Sequence, residues 1–300
     1  MKSVVETEVG QCTVTACTPS DFSFRRTVYS HGWRDLLPFS WNEERATLTR
    51  IERFSDGSTH RLEFSEADGG IHVDFTGQCD PLQLNRIVTR IFQLDRSVAD
   101  FHAYCRTRAE LAHVPHEKHG RFLCSPTLFE DTMKVLLTTN TTWAQTSAMV
   151  KRLVGAFGSP LQGSHSNAFP SPEQIASVPL PEFAEVARLG YRAPAAHSLA
   201  CSVSEGDIDL ESLRDTELDS DHVWKRLLAL KGIGPYGAAC LMLYLGRGDR
   251  LNVDSWARML VSRELGRAVV DKDVHAFFAD FGRWKGFAYS FYRWAGETPC

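Results

Sequence analysis

Two short segments late in the chain carry residue types that could bind a phosphate and catalyse a hydrolysis. Gly232 and Gly234 flank Ile233 between two apolar helical segments, directly after Lys231. Glycines allow a tight turn whose backbone N–H groups point one way, and the N-terminus of the following helix attracts anions. Residues 230–238 therefore predict a phosphate site or, in the alternative, a tight helix connection that binds nothing.

A carboxylate follows at Asp254, twenty residues after Gly234 and at the start of the next helical segment. As a helix N-cap it would accept backbone N–H groups that otherwise lack partners. Beside a phosphate site, an ionised aspartate can also stabilise a sugar cation as a base departs, or orient and deprotonate an attacking water. The two roles are compatible, so Asp254 is the candidate catalytic residue.

Periodicity and turn residues predict the elements that position these segments. Strands are predicted in four segments, 13–16, 46–51, 60–64 and 71–75. Glycine-containing turns between the later strands indicate an antiparallel sheet with one solvated face. Helices are predicted in nine segments, 81–92, 126–137, 143–154, 172–177, 181–188, 193–204, 222–230, 236–245 and 255–265.

The predicted fold class is therefore α+β. The 300 residues are enough for two domains, since a domain usually has about 100–200 residues. Residues 1–100 would form an antiparallel β domain with a linking helix. Residues 101–300 would form a mostly helical domain that carries Asp254 and the glycine turn.

The charge distribution is uneven along the chain. The net charge of −4 argues mildly against a polyanionic partner. However, residues 205–221 hold eight acids and one arginine, whereas residues 222–300 hold twelve Lys and Arg against seven Asp and Glu. This pattern fits a local electropositive face behind an acidic connector, and it equally fits ordinary solvated helices.

The cysteines and the apolar residues exclude several classes of protein. Eight scattered cysteines include no Cys-x-x-Cys pair, which argues against a zinc site and an iron–sulfur cluster. No apolar run reaches the length of about 18 residues that a bilayer requires. Acidic residues near the N-terminus do not suit a signal peptide. The expectation is an intracellular monomer that binds no membrane.

Several segments of the sequence resemble those of a known superfamily. Residues 230–239 (Leu-Lys-Gly-Ile-Gly-Pro-Tyr-Gly-Ala-Ala) and 252–258 (Asn-Val-Asp-Ser-Trp-Ala-Arg) resemble the helix-hairpin-helix, Gly/Pro-Asp (HhH-GPD) DNA glycosylases. Residues 137–143 together with 148–153, and residues 189–193, are similar to the 8-oxoguanine glycosylase branch. Residues 282–290 resemble the last helix of the 8-oxoguanine and alkylpurine glycosylases. The resemblance implies a DNA repair enzyme that flips a damaged base out of double-stranded DNA.

The resemblance also implies roles for single residues. Asp254 would be catalytic, and Asn140 would enter the duplex where the flipped base was. The aromatic residues of the base pocket would be Tyr236, Tyr289 and Trp143. The DNA-binding residues would be Asn140, Lys231, Gly232, Ile233, Gly234, Tyr236 and Gly237. No cofactor would be required, although a sodium or potassium ion could bind the backbone carbonyls of Leu228, Leu230 and Ile233. Trp256 and Trp284 are expected to pack in the core.

One departure from the family pattern indicates a subclass. Bifunctional members carry a Schiff-base lysine two residues after the second glycine of the hairpin, and here that position holds Tyr236. The predicted function is therefore a monofunctional DNA glycosylase for a damaged, alkylated purine. The alternatives are an oxidised-purine (8-oxoguanine-like) glycosylase, a module that binds lesion DNA without cleaving it, and a helical protein of unrelated function.

Overall fold

The structure is a computed structural model that describes residues 2–7 and 11–293, with side chains from residue 15 to residue 293. Six strands occur in these ranges: β1 (Lys2–Thr7), β2 (Gln11–Cys17), β3 (Phe39–Asn42), β4 (Thr47–Arg53), β5 (Thr59–Ala67) and β6 (Gly70–Thr76). They form one sheet in the order β1-β2-β6-β5-β4-β3, and every neighbouring pair is antiparallel.

The strand predictions are confirmed, with two additions. All four predicted segments lie in β2, β4, β5 or β6, except that residue 46 precedes β4. Alternation sets the register of the last two strands, where Leu62 lies opposite Phe75 and Phe64 lies opposite Val73. These four side chains are buried, while the intervening Asp74 is exposed. β3 was not predicted, because four residues are too few to establish a period of two.

Fourteen α-helices occur in the described residues: α1 (Phe24–Val28), α2 (Pro81–Phe92), α3 (Ala99–Cys105), α4 (His113–His116), α5 (Leu128–Thr138), α6 (Trp143–Phe157), α7 (Pro172–Ala176), α8 (Leu180–Ala187), α9 (Ala193–Ser204), α10 (Ser220–Leu228), α11 (Pro235–Tyr244), α12 (Ser255–Leu265), α13 (Asp271–Phe277) and α14 (Lys285–Phe291). Short 3₁₀ segments are Gly32–Asp35, Ala109–Leu111, Gly190–Arg192, Glu211–Arg214 and Ala279–Trp284. No helix in this part of the chain is both long and apolar enough to cross a bilayer.

Each of the nine predicted helices is present, and caps account for the shifted starts of two of them. The Thr127 side chain accepts the backbone N–H of Glu130, so α5 begins at Leu128 rather than at residue 126. Asp219 accepts two N–H groups in the same way, so α10 begins at Ser220 rather than at residue 222. An α+β fold with an antiparallel sheet is therefore confirmed.

The chain divides into two compact units whose bounds differ from the predicted division at residue 100. The first unit comprises the described residues up to Asp95 together with Phe122–Ser212, and the second comprises Arg96–Arg121 and the described residues from Leu213. The sheet and α5–α9 thus belong to one unit. Long-range contacts explain this division, because Arg50 of β4 pairs with Glu130 of α5.

That pair is part of a buried ion cluster in the first unit, formed by Arg50, Glu52, Glu130 and Lys134. Arg50 donates to both carboxylate oxygens of Glu130, at 2.9 and 2.6 Å, and to Glu52 at 2.5 Å. The Lys134 Nζ lies 2.7 Å from Glu130 Oε1. Burial alone would raise the pKa of Glu130, but Arg50 and Lys134 outweigh it and hold that pKa at about 2. The cluster therefore links the sheet to α5 through desolvated charges.

Candidate active site

The glycine turn connects α10 to α11 in the second unit. Gly232 has a φ of +85°, a conformation that favours glycine, and the Ile233 N–H donates to the Leu230 carbonyl at 3.0 Å. Ile233 is buried, so a DNA contact from this residue would use its backbone. Lys231 and Gly232 are exposed, and Gly237 is buried in the first turn of α11. The predicted helix–turn–helix connection is confirmed.

Gly234 does not have the positive φ that Gly232 has. Its φ of −96° and ψ of −174° are open to any residue, and an added Cβ would meet no atom within 4 Å. The fold therefore does not demand glycine here. A missing side chain instead leaves the backbone at the start of α11 open to a close external group, as phosphate binding requires.

Asp254 is the N-cap of α12, as predicted. Its Oδ1 accepts the backbone N–H of Ala257 at 2.7 Å and the hydroxyl of Tyr289 at 3.3 Å. Both of these hydrogen bonds end on Oδ1, which leaves the Oδ2 lone pairs to interact with a substrate. The N-cap bond and the Tyr289 bond together fix the orientation of the carboxylate.

Two residues that the sequence analysis missed extend this site. Cys240 lies one turn after Tyr236 along α11, and the side chains of Tyr236 and Asn252 both act to lower the pKa of its thiol. The i, i+4 spacing of Tyr236 and Cys240 was the available sequence signal. We call the five residues Tyr236, Cys240, Asn252, Asp254 and Tyr289 the aspartate cluster.

The aspartate cluster combines one carboxylate with uncharged polar groups. Burial raises the pKa of the Cys240 thiol to about 12. The neighbouring Cys240, burial and the Asp254 carboxylate raise the pKa of Tyr236. Burial and Asp254 likewise raise the pKa of Tyr289. At neutral pH both phenols and the thiol therefore stay protonated, and none of the five cluster residues carries a positive charge.

The structure places the tryptophans in different environments. Trp284 packs against Phe101 and Phe287, with ring centroids 5.3 and 6.1 Å apart, but its side chain stays partly exposed, so the expected core packing is confirmed only in part. The same expectation is wrong for Trp256, whose side chain is 56% exposed. Trp256 and Met259 share the face of α12 that is turned to solvent, because the buried positions of this helix are Ala257, Leu260 and Val261.

Trp143 and Asn140 belong to the first unit, whereas the tyrosines of the aspartate cluster belong to the second. The aspartate cluster therefore brings together two of the three aromatic residues predicted for the base pocket. Trp143 is half-exposed at the start of α6, and its ring lies on Gly32, where an added Cβ would come within 2.5 Å of it.

Asn140 lies in the exposed loop between α5 and α6. Its φ of +46° is unusual for a residue other than glycine, although asparagine tolerates it. Its Nδ2 donates to the Tyr191 hydroxyl at 3.4 Å, and the buried Arg192 guanidinium donates to the backbone carbonyls of Thr139 and Asn140. Segment 189–193 thus holds the Asn140 loop in its left-handed conformation.

The residues expected to hold a monovalent cation lie around the C-terminus of α10 and the turn. Backbone carbonyls at this end of a helix carry partial negative charge. The Leu230 carbonyl already accepts the Ile233 N–H, and its second lone pair remains for an ion. Ligation by Leu228, Leu230 and Ile233 stays a prediction. Within the described residues, no group of three or more His, Cys, Asp and Glu side chains could hold a metal.

Comparison with known sequences finds a distant relative. No protein-family model matches the chain. A probable N-glycosylase/DNA lyase from Methanothermobacter thermautotrophicus is 23% identical over 218 residues, which cover 65% of this chain and 68% of that protein.

Solved structures match nearly the whole chain. MBOgg1 in complex with a low-affinity DNA ligand has a TM-score of 0.72 at 22% identity, covering 97% of this chain and 96% of its own. The 3-methyladenine DNA-glycosylase from Archaeoglobus fulgidus has a TM-score of 0.70 at 17% identity, and the match covers 93% of this chain and 97% of that one. A third structure is the 8-oxoguanine glycosylase/lyase from Clostridium acetobutylicum in complex with double-stranded DNA. It has a TM-score of 0.68 at 18% identity, and the match covers 97% of this chain and 96% of that one. The chain therefore has the fold of these structures.

Proposed function

We propose that this chain, whose fold is that of the HhH-GPD DNA glycosylases, is a monofunctional DNA glycosylase acting on an alkylated purine. The observation that carries this proposal is the aspartate cluster, in which the Asp254 carboxylate accepts the Tyr289 hydroxyl and lies near the neutral Tyr236 phenol and Cys240 thiol. A cluster of this kind has a group to assist hydrolysis and no amine to form a Schiff base. The products would be a free base and an abasic site.

The proposed reaction begins with the grip on double-stranded DNA. The backbone N–H groups of Gly232, Gly234 and Gly237 and the side chain of Lys231 would contact phosphates. Asn140 would take the place of the flipped nucleotide. These contacts hold the duplex without reading its sequence, which suits an enzyme that searches for a lesion.

Asp254 would act on the flipped nucleotide. The C1′–N bond breaks, its electron pair leaves with the base, and the sugar gains positive charge that the carboxylate stabilises. Water then attacks C1′, and Asp254 accepts the proton that this water loses. Tyr289 would hold the carboxylate in place through its hydrogen bond.

The charge of the aspartate cluster favours an alkylated purine over an oxidised one. Alkylation at a ring nitrogen makes the purine cationic, so it gains attraction from the carboxylate and from the faces of Tyr236 and Tyr289. The cationic base is also an activated leaving group. An 8-oxoguanine-like substrate is the alternative, suggested by the similarity of residues 137–143 and 148–153 to that branch.

Base release from defined duplexes tests the proposed function. Duplexes would carry a methylated purine, 8-oxoguanine, uracil or hypoxanthine, and each reaction would be run with and without alkali. We expect breaks at methylated purines that appear only after alkali treatment, because an abasic site is the product. Strand cleavage without alkali would contradict the monofunctional assignment. Release of 8-oxoguanine alone would favour the oxidised-purine alternative, and tight binding without release would favour a binding module.

Replacement of Gly234 by alanine is expected to weaken DNA binding about 10-fold while changing the free energy of unfolding by no more than about 1 kcal/mol. The added methyl group meets no protein atom and reduces the entropy of the unfolded chain, but Gly234 is the N-cap of α11, where alanine is less favourable than glycine. The same methyl group would stand where a phosphate approaches the backbone. Fluorescence anisotropy with a lesion-free duplex at two salt concentrations measures the change.

The matched control for this experiment is Gly155→Ala. Gly155 is exposed on α6, and a Cβ there also meets no atom within 4 Å. We expect this variant to gain stability without losing DNA affinity. Equal affinities for both variants would contradict phosphate binding at the turn.

We also propose a cation site at the turn. The carbonyls of Leu228, Leu230 and Ile233 would bind sodium or potassium at the turn, and no other cofactor would be required. We further propose that the protein acts as a monomer inside the cell. The position of the carbonyls at the C-terminus of α10 supports the ion site.

A further inference from the structure

Arg192 is a buried cation whose side chain has no role in the proposed reaction so far. It is only 7% exposed, although arginine is seldom buried unless it has strong partners. Its guanidinium donates to the backbone carbonyls of Thr139 and Asn140, and its Nε lies 3.3 Å from the Thr139 hydroxyl. The Tyr191 ring lies 4.4 Å from the guanidinium carbon. These contacts fix two consecutive peptide units of the Asn140 loop.

The loop is held on both sides of Asn140, and the Asn140 side chain itself is exposed. Before it, the Thr139 carbonyl accepts from Arg192. After it, the Gln145 side chain accepts the Thr141 hydroxyl at 2.7 Å. Between these anchors Asn140 has a φ of +46°, which residues other than glycine seldom adopt. The fold therefore presents an exposed asparagine on a backbone that a free loop would rarely form.

We propose that Arg192 is a positioning residue for Asn140, and that it holds the loop ready to enter the duplex before the damaged base leaves the stack. This inference rests on the proposed function, in which Asn140 takes the place of the flipped nucleotide. A loop that is fixed beforehand loses little conformational entropy when it inserts, so the inserted state is more stable. Arginine suits this task because its planar fork can donate to two neighbouring carbonyls, whereas lysine presents a single compact charge.

Two substrates separate the positioning of Asn140 from general damage to the enzyme. In the first, 7-methylguanine is paired within a duplex, so its flipping leaves a gap. In the second, 7-methylguanine forms a one-nucleotide bulge with no nucleotide opposite, so its exit leaves no gap to fill. For Arg192→Met we expect single-turnover release to slow by about 10- to 100-fold on the paired duplex and by less than about 3-fold on the bulge. Equal slowing on both substrates, or no slowing on either, would overturn the inference.

A second variant covers the case in which methionine impairs folding. Arg192→Lys keeps the positive charge and loses the fork of donors. It should show the same selective loss on the paired duplex, to a smaller extent. Wild-type rates on both substrates in a folded Arg192→Lys protein would contradict the need for two donors.

A double-mutant cycle tests whether Arg192 acts through Asn140. Asn140→Gly removes the inserting side chain, and glycine accepts the positive φ at this position. In the Asn140→Gly background, Arg192→Met should slow release from the paired duplex by less than about 2-fold, because no side chain remains to be positioned. If the two losses multiply as independent effects do, the inference is overturned.

Arg152→Met is the matched control. Arg152 donates to the backbone carbonyls of Ala187 and Arg188, both at 3.1 Å, and so it also holds two consecutive peptide units of the same compact unit. We expect this variant to keep the wild-type ratio of the two release rates. A selective loss on the paired duplex here too would overturn the specific assignment to Arg192. No release of 7-methylguanine from either substrate by the wild type would instead overturn the proposed function for this lesion, and the inference with it.

Discussion

Replacement of Asp254 by asparagine is expected to slow base release by about 10²–10³-fold, the size of effect seen when one preorganised electrostatic group is removed. The negative charge that would stabilise the sugar cation is lost, and the amide is too weak a base to accept a proton from water. Single-turnover release of a methylated purine, with enzyme in excess over duplex, measures this rate without interference from product release.

The substitution separates chemistry from folding because asparagine and aspartate are nearly equal as N-caps. The asparagine oxygen can still accept the Ala257 N–H and the Tyr289 hydroxyl, which in the wild type lie 2.7 and 3.3 Å from Oδ1. The melting temperature should therefore stay close to that of the wild type. Wild-type rates in Asp254→Asn would exclude a catalytic role for this carboxylate.

Asp219→Asn is the matched control. Asp219 caps α10 by accepting the N–H groups of Asp221 and His222, and it lies on the same unit as Asp254. The change removes the same charge from the same kind of position. We expect base release to be unaffected, so a loss in both variants would point to a general effect of N-cap charge.

Replacement of Glu130 by glutamine is expected to lower the free energy of unfolding by about 3–5 kcal/mol, as for other buried ion pairs that lose one partner. Glu130 forms ion pairs with the guanidinium of Arg50 and the ammonium of Lys134, and both cations are fully buried. Without the carboxylate these charges face each other across a neutral amide. Urea unfolding, followed by far-ultraviolet circular dichroism, measures the loss.

The pH dependence of stability provides a second test of the role of Glu130. The pKa of Glu130 is about 2 in the folded protein, compared with an ordinary value of 4.5. A carboxyl group whose pKa falls on folding stabilises the protein above its unfolded pKa and loses this contribution as the pH drops toward its folded pKa. The wild type should therefore lose stability between about pH 4.5 and pH 2, and Glu130→Gln should lose less over that range.

A surface pair provides the control for this prediction. Arg258 and Asp271 form an ion pair at 2.6 Å with both side chains well exposed. Exposed pairs contribute about 0–1 kcal/mol, so Asp271→Asn should change stability little. A loss for Glu130→Gln as small as that for Asp271→Asn would mean that the buried ion cluster is solvated.

The sequence was informative wherever neighbours within a few residues determine the conformation. Alternation in residues 60–64 and 71–75 predicts two half-buried strands, and helical spacing predicts nine helices. The N-cap role of Asp254 and the turn at Gly232 follow from local preferences for caps and for positive φ. These features need no knowledge of distant contacts, which is why they could be predicted correctly.

The tertiary structure decided what depends on residues far apart in the chain. Only folding brings Asn252 to Cys240 and Tyr289 to Asp254, so the aspartate cluster could not be assembled from local patterns. The same holds for Arg50 and Glu130, whose buried pair places α5 with the sheet and shifts the division of the chain. Gly232 and Gly234 show a further limit of the sequence. Only the structure shows that Gly232 has the positive φ that favours glycine, whereas Gly234 has a backbone conformation open to any residue. Hydrogen bonding and desolvation act through space, and sequence periodicity reports only on the nearest turn or strand.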